Sequence, residues 1–148
     1  MGSRNFNEWG PKAWAIFHEK AIRYPKNPCK CDIKKILHFY NKKFLEYVGC
    51  DSCKRDYKKI ICRNPVRANS QTDLFMWTVD IHNIVNLKLG KEVISYNEAF
   101  RIWSRLTMEK SYKCDRCCDS GYYYDTINPI RCQTLYSYDD DDSDWEYD

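Results

Sequence analysis

Thr72-Asp73-Leu74-Phe75-Met76-Trp77-Thr78-Val79-Asp80-Ile81-His82-Asn83-Ile84-Val85-Asn86-Leu87-Lys88-Leu89 is the stretch that decides the fold class. Its apolar residues fall on more than one side of a helix, which puts the segment in the middle of a bundle rather than on its surface. His82 and Asn86 stand four apart on one face with Asn83 beside them. Burying such groups is unfavourable unless something satisfies their hydrogen bonds.

Working outward, the period is helical nearly everywhere between residues 11 and 110, and strand-like alternation is scarce, so the body is all-α. A first helix is expected to open at Pro11, carry Trp14, Phe17, His18 and Ala21 on one stripe, and stop at Pro25. A second runs from Asp32 to about Tyr47 with Ile33, Ile36, Leu37, Tyr40 and Phe44 on its inner face. A third begins around Cys50 and reaches about Cys62, before the breaker Asn64-Pro65. Beyond Gly90, Ser95-Tyr96-Asn97-Glu98 reads as a capping box opening a fifth helix with Ala99, Ile102, Trp103 and Leu106 inside. Residues 1–110 thus form one domain, 111–138 a cysteine-rich appendage, and 139–148 an acidic tail expected to be disordered.

Composition narrows the function classes. The chain has 148 residues, 43% hydrophobic, with no apolar run approaching the roughly 18 to 20 residues that cross a bilayer and no apolar signal core after Met1. A soluble protein without a membrane role is expected. The net charge of +3 hides an asymmetry, since seven acids and no base lie in 139–148, leaving 24 basic against 14 acidic side chains on residues 1–138. Those lysines are spread along helix faces instead of bunched with exposed aromatics, which argues against nucleic acid.

Nine cysteines make metal or redox chemistry the first question. Cys50-x-x-Cys53 at a helix start can close a strained, readily reduced disulfide, and the helix dipole would favour a thiolate there, most directly at Cys53. The same spacing suits zinc, with Cys114 and Cys117 as a second pair of thiolates. Cys62, late in an amphipathic helix, reads as a buried free thiol.

Three motifs occur together: Trp9-Gly10-Pro11-Lys12-Ala13-Trp14-Ala15-Ile16-Phe17-His18, then Cys50-x-x-Cys53, then Trp77 with His82-Asn83-Ile84-Val85-Asn86-Leu87-Lys88-Leu89-Gly90-Lys91. In isolation Trp14 and His18 suit an ordinary core, and Lys88 and Lys91 a solvated helix end. In combination the pattern resembles the Erv/ALR family of FAD-linked sulfhydryl oxidases over residues 9 to 106. The resemblance implies a four-helix bundle with a short fifth helix, non-covalent FAD, no metal, and a homodimer. It implies that Cys53 lies against the flavin while Cys50 exchanges with a dithiol protein substrate, O2 being the final acceptor and hydrogen peroxide the product. Carried over by position, the FAD contacts would be Gly10, Lys12, Trp14, His18 and Tyr24, then Cys53, then His82, Asn83, Asn86, Lys88 and Lys91, with Trp103 near the adenine. An aromatic set for the rings and two lysines for the phosphates suit an extended dinucleotide. Shuttle pairs of the family find two candidates, Cys114-x-x-Cys117 and Cys29-x-Cys31, while Cys118 with Cys132 could instead form a structural knot.

Two departures stand out. Where the family often has Tyr-Pro before the active pair, this chain has Val48-Gly49, a glycine that could re-aim the turn. The structural disulfide of many cellular members has no counterpart, because Val79 and Ile94-Ser95-Tyr96 occupy its positions. That shortening resembles the oxidases of large DNA viruses, for which host cytoplasm or virion is the expected location and disulfide formation in virion proteins the expected service. The mitochondrial intermembrane space is the alternative.

Overall fold

The structure, a computed structural model, describes residues 5–105. Its elements are α1 (Phe6–Ile22), α2 (Lys30–Asn41), a 3-10 helix (Lys43–Tyr47), α3 (Asp51–Arg63), α4 (Gln71–Lys88) and α5 (Tyr96–Ser104). The all-α expectation holds: among the described residues there is no strand, and no helix is long and apolar enough to cross a membrane. The appendage and tail, with Cys114, Cys117, Cys118 and Cys132, lie outside the described residues.

Two helix boundaries differ from the sequence reading. α1 opens at Phe6, five residues before Pro11, because the Asn5 side chain accepts the Asn7 N–H at 3.0 Å and caps the helix. Pro11 is therefore interior to the first turns, and Phe6 and Trp9 extend the inner stripe, meeting edge to face at 5.0 Å. The second helix is broken after Asn41 and resumes as the 3-10 helix, which keeps Phe44 and Leu45 buried. A capping box closes the start of α2: Cys29 Sγ accepts from the Asp32 N–H at 3.4 Å, and the Asp32 carboxylate accepts from the Cys29 N–H at 3.0 Å. At α5, Ser95 Oγ caps the Glu98 N–H at 3.2 Å, one half of the capping box the sequence suggests, while the Glu98 carboxylate accepts from Arg101.

α1 and α4 form the central pair, with α5 laid on both and α3 against α4. Trp77, Phe17 and Tyr40 occupy the middle of the core, with Phe17 and Tyr40 fully buried and Trp77 2% exposed. Buried phenols staple the layers to backbone: Tyr40 OH donates to the Phe17 carbonyl at 2.7 Å and Tyr57 OH to the Tyr40 carbonyl at 2.6 Å. Trp77 Nε1–H donates to the Asn64 carbonyl at 2.8 Å, fixing the α3–α4 connection. Cys62 corrects the sequence reading. It is buried, as expected, but disulfide-bonded rather than a free thiol.

Candidate functional site

α1, α3 and the end of α4 enclose a cavity of about 480 Å³. Phe6, Trp9 and Trp14 from α1 line one side of it, Phe44, Val48 and Tyr57 another, and Val85 with Leu89 the α4 side. Cys53 opens into it, and Lys88 and Lys91 stand at its rim.

Cys50 is the N-cap of α3 and Cys53 its third residue. The Cys53 N–H donates to Cys50 Sγ at 3.4 Å, and Cys50 Sγ lies 3.0 Å from Ser52 Oγ. This arrangement overturns the expectation of a favoured thiolate at Cys53. The terminal amide serves Cys50, whereas burial, reinforced by the bond from Cys50, pushes the Cys53 thiol up to about 11. Both cysteines stand as thiols here, Cys53 towards the cavity.

Gly49 explains the departure before the pair. A Cβ built at this residue would lie 2.6 Å from Trp9 Cδ1, so the bare Cα lets the indole pack directly against the turn that presents Cys50. Gly49→Ala forces the Trp9 ring aside, and by the usual cost of overpacking, about 1–3 kcal/mol, lowers Tm by roughly 5–15 °C. An unchanged melting curve would mean that the indole moves freely.

Behind the cavity wall lies a ring stack that joins motifs 64 residues apart. His82 stacks on Trp14 at 3.8 Å and 7°, and His18 on Trp103 at 3.7 Å. His18 Nε2 and His82 Nδ1 are 2.8 Å apart, while His18 Nδ1 lies 3.0 Å from Thr78 Oγ1. Burial holds His18 well below the usual imidazole pKa, and burial with nearby Lys91 brings His82 down to about 4. The unfolded chain therefore takes up protons below pH 6.5 that the folded one refuses. Stability is complete above that pH and lost as pH falls towards 4. Between pH 6.5 and 5, above the main carboxylate range, His82 alone removes about 2 kcal/mol, with His18 adding in the same direction. A Tm that stays flat across this window would show that the rings are solvated.

The motif polar groups divide by task. Asn83 uses both ends of its carboxamide on Ile94, donating to its carbonyl at 2.8 Å and accepting from its N–H at 2.9 Å. Gly90, at φ 71°, allows the Lys91 N–H to return to the Asn86 carbonyl at 2.8 Å, which turns Lys91 back to the rim and within 5.1 Å of the Phe6 ring. Lys88 Nζ lies 3.8 Å from the Asp56 carboxylate, both exposed. Gly10 is buried beneath the Phe6 ring, and Lys12 is exposed on α1.

Tyr24 does not join this group. Its hydroxyl donates to the Ala68 carbonyl at 2.8 Å, and it lines a second cavity with Pro25 and Asp32 at the far end of α1. Cys29, whose charge reaches Tyr24, shares that end, whereas Gly49 before Cys50 touches Trp9. The thirteen residues of α1 that lie between Trp9 and Tyr24 separate the two ends by roughly 20 Å, far beyond disulfide reach. Phe6 and Tyr57 line the cavity with no place in the sequence reading, and Trp9 and Phe44 entered it only as a motif residue and a core residue; the spacing of Phe6, Trp9 and Ala13 across Pro11 was the available signal. Among the described residues no cluster of three or more His, Cys, Asp or Glu is placed to hold a metal.

A model described as the Erv1 / Alr family matches residues 11–106. The chain belongs to the Erv1 / Alr family. It is similar to a probable FAD-linked sulfhydryl oxidase of Acanthamoeba polyphaga mimivirus, 33% identical over 107 residues that cover 70% of this chain and 74% of the relative. An FAD-linked sulfhydryl oxidase of African swine fever virus is 33% identical over 98 residues, covering 66% and 81%. The crystallised FAD-binding domain of Erv1 from Saccharomyces cerevisiae superposes with a TM-score of 0.64 at 27% identity, covering 69% of this chain and 96% of that domain. The Erv1 / Alr helices of this chain are thus the part that carries the cavity, the cysteine pair and the histidine stack.

Proposed function

We propose that this protein is an FAD-linked sulfhydryl oxidase that makes disulfide bonds in protein substrates. The observation that carries the reading is Cys53 opening into an aromatic-walled cavity with two lysines at its rim, while Cys50 caps the helix outside it. The donor set fits FAD: aromatic and apolar side chains for a ring system, cations for a diphosphate, and a sulfur in the lining. Trp14, Trp9 and Tyr57 would hold the rings, Lys88 and Lys91 the phosphates, and Trp103 with the histidine stack the wall behind. Asn83, by pinning Ile94, shapes the turn that delivers Lys91.

In the oxidised pair, a substrate thiolate attacks Cys50 Sγ and Cys53 leaves as the second sulfur. The remaining substrate thiol then attacks the mixed disulfide, releasing the substrate disulfide and two enzyme thiols, the state seen here. Cys53, held as a thiol by burial, must lose its proton before it can donate electrons, so its position and protonation are what the protein controls. Bound FAD would supply the two-electron acceptor and the route onward to dioxygen, with hydrogen peroxide as product. A homodimer and service to virion proteins rest on the family resemblance and the viral relatives. A shuttle role for Cys114 and Cys117 rests on sequence alone; the distance from Cys29 to Cys50 favours that pair over Cys29-x-Cys31.

The test is the absorption spectrum of purified protein followed by oxygen uptake on adding dithiothreitol, with peroxide measured in the same sample. A flavin band with one peroxide per oxygen supports the reading. A colourless protein that takes up no oxygen refutes it.

A further inference from the structure

Thr78 is fully buried in the middle of α4 and touches no part of the cavity, yet its hydroxyl decides the protonation pattern of the histidine stack. A hydroxyl has one proton. Thr78 Oγ1 directs it to the Phe75 carbonyl, at 2.6 Å, and a carbonyl can only accept. Towards His18 the oxygen therefore presents a lone pair, and His18 Nδ1, 3.0 Å away, must carry the hydrogen. A neutral imidazole has one N–H, so His18 Nε2 is bare and accepts from His82 Nδ1–H across 2.8 Å. His82 Nε2 is then bare as well, and among the described residues it makes no hydrogen bond. Both rings are neutral at pH 7, which removes the alternative of a doubly protonated ring. The stacking of His82 on Trp14 and of His18 on Trp103 holds the ring planes in place.

We propose that Thr78 is a positioning residue that, through His18, fixes His82 as the Nδ1–H tautomer and so presents its Nε2 as an acceptor for a hydroxyl or amine of the bound cofactor. The inference rests on the FAD reading for the nature of the ligand, but the tautomer chain follows from the protein's own donors and acceptors. Thr78→Val has the same shape and removes the lone pair. His18 then gains by moving its proton to Nε2, which donates to His82 Nδ1, and His82 in turn becomes the Nε2–H tautomer. One buried methyl thereby reverses the polarity of a ring two residues along the chain of bonds and turns an acceptor into a donor.

With three histidines in the chain, the holoenzyme labelled with ¹⁵N-histidine gives a readable two-bond proton–nitrogen spectrum. The wild type is expected to show Nδ1–H tautomers for two histidines at pH 7.5, assigned with His18→Gln and His82→Gln variants. In Thr78→Val both switch to Nε2–H, and FAD dissociates about tenfold more readily. Thr78→Ser restores the wild-type pattern and affinity. An Nε2–H signal from either stacked histidine in the wild type overturns the proposal without any variant having to fold. So does a Thr78→Val spectrum that keeps both Nδ1–H tautomers. Failure of the FAD reading would show separately, as a missing flavin band beside an intact Nδ1–H pattern.

Discussion

Cys53→Ala abolishes dithiol-driven oxygen uptake, a loss of at least about a thousandfold, while the protein stays folded, since only a half-buried sulfur is removed. Cys50→Ala abolishes turnover as well. The two variants part in what they capture. Cys53→Ala retains the outward sulfur and accumulates a mixed disulfide at Cys50 with an oxidised dithiol probe, because no neighbour is left to displace it. Cys50→Ala leaves a sulfur that faces the cavity and loses the Cys50 contribution to its raised pKa, but burial still disfavours its thiolate, so it forms the adduct more slowly at neutral pH. Intact-mass measurement reads both. Preferential capture by Cys50→Ala would reverse the roles, and turnover surviving in Cys53→Ala would remove the pair from the chemistry.

The second large effect is on stability. Trp77→Ala empties the centre of the core, where the indole packs against Tyr40 at 4.9 Å and Phe17 at 5.5 Å, and it strands the Asn64 carbonyl that the indole N–H serves. The loss is about 3–5 kcal/mol, enough to unfold much of the population of a marginally stable domain at 37 °C. Trp77→Phe keeps most of the volume and gives up the hydrogen bond, for about 1–2 kcal/mol. Denaturant unfolding of both separates the two contributions. A Trp77→Ala midpoint close to wild type would mean that the core collapses to fill the gap.

Much of this was legible in the residues. α4 announced itself because its apolar side chains fall on more than one side of the helix, and Trp14, His18 and His82, which the family pattern groups, meet in one ring stack. Boundaries were harder for definite reasons. A proline at residue 11 signals a first turn, but the Asn5 cap and the Phe6 and Trp9 rings outweigh it. The break after Asn41 was hidden because Tyr40, Phe44 and Val48 keep one buried face whether the backbone is α or 3-10. The Cys53 pKa ran opposite to expectation because a dipole argument reads position along a helix and not burial. The bond at Cys62 had no local signature, since a cysteine on an amphipathic helix reads alike whether its sulfur is free or bonded.

The Asn83 clamp on Ile94 has a bearing on where such an enzyme can work. Its two amide bonds hold the segment after α4 that cellular relatives, by the resemblance, tie with sulfur. Glutathione and thioredoxin have no purchase on a carboxamide. The rim that carries Lys91 can keep its shape in a milieu reducing enough to open ordinary disulfides, leaving Cys50 and Cys53 free to cycle while this part of the frame stays indifferent to redox poise.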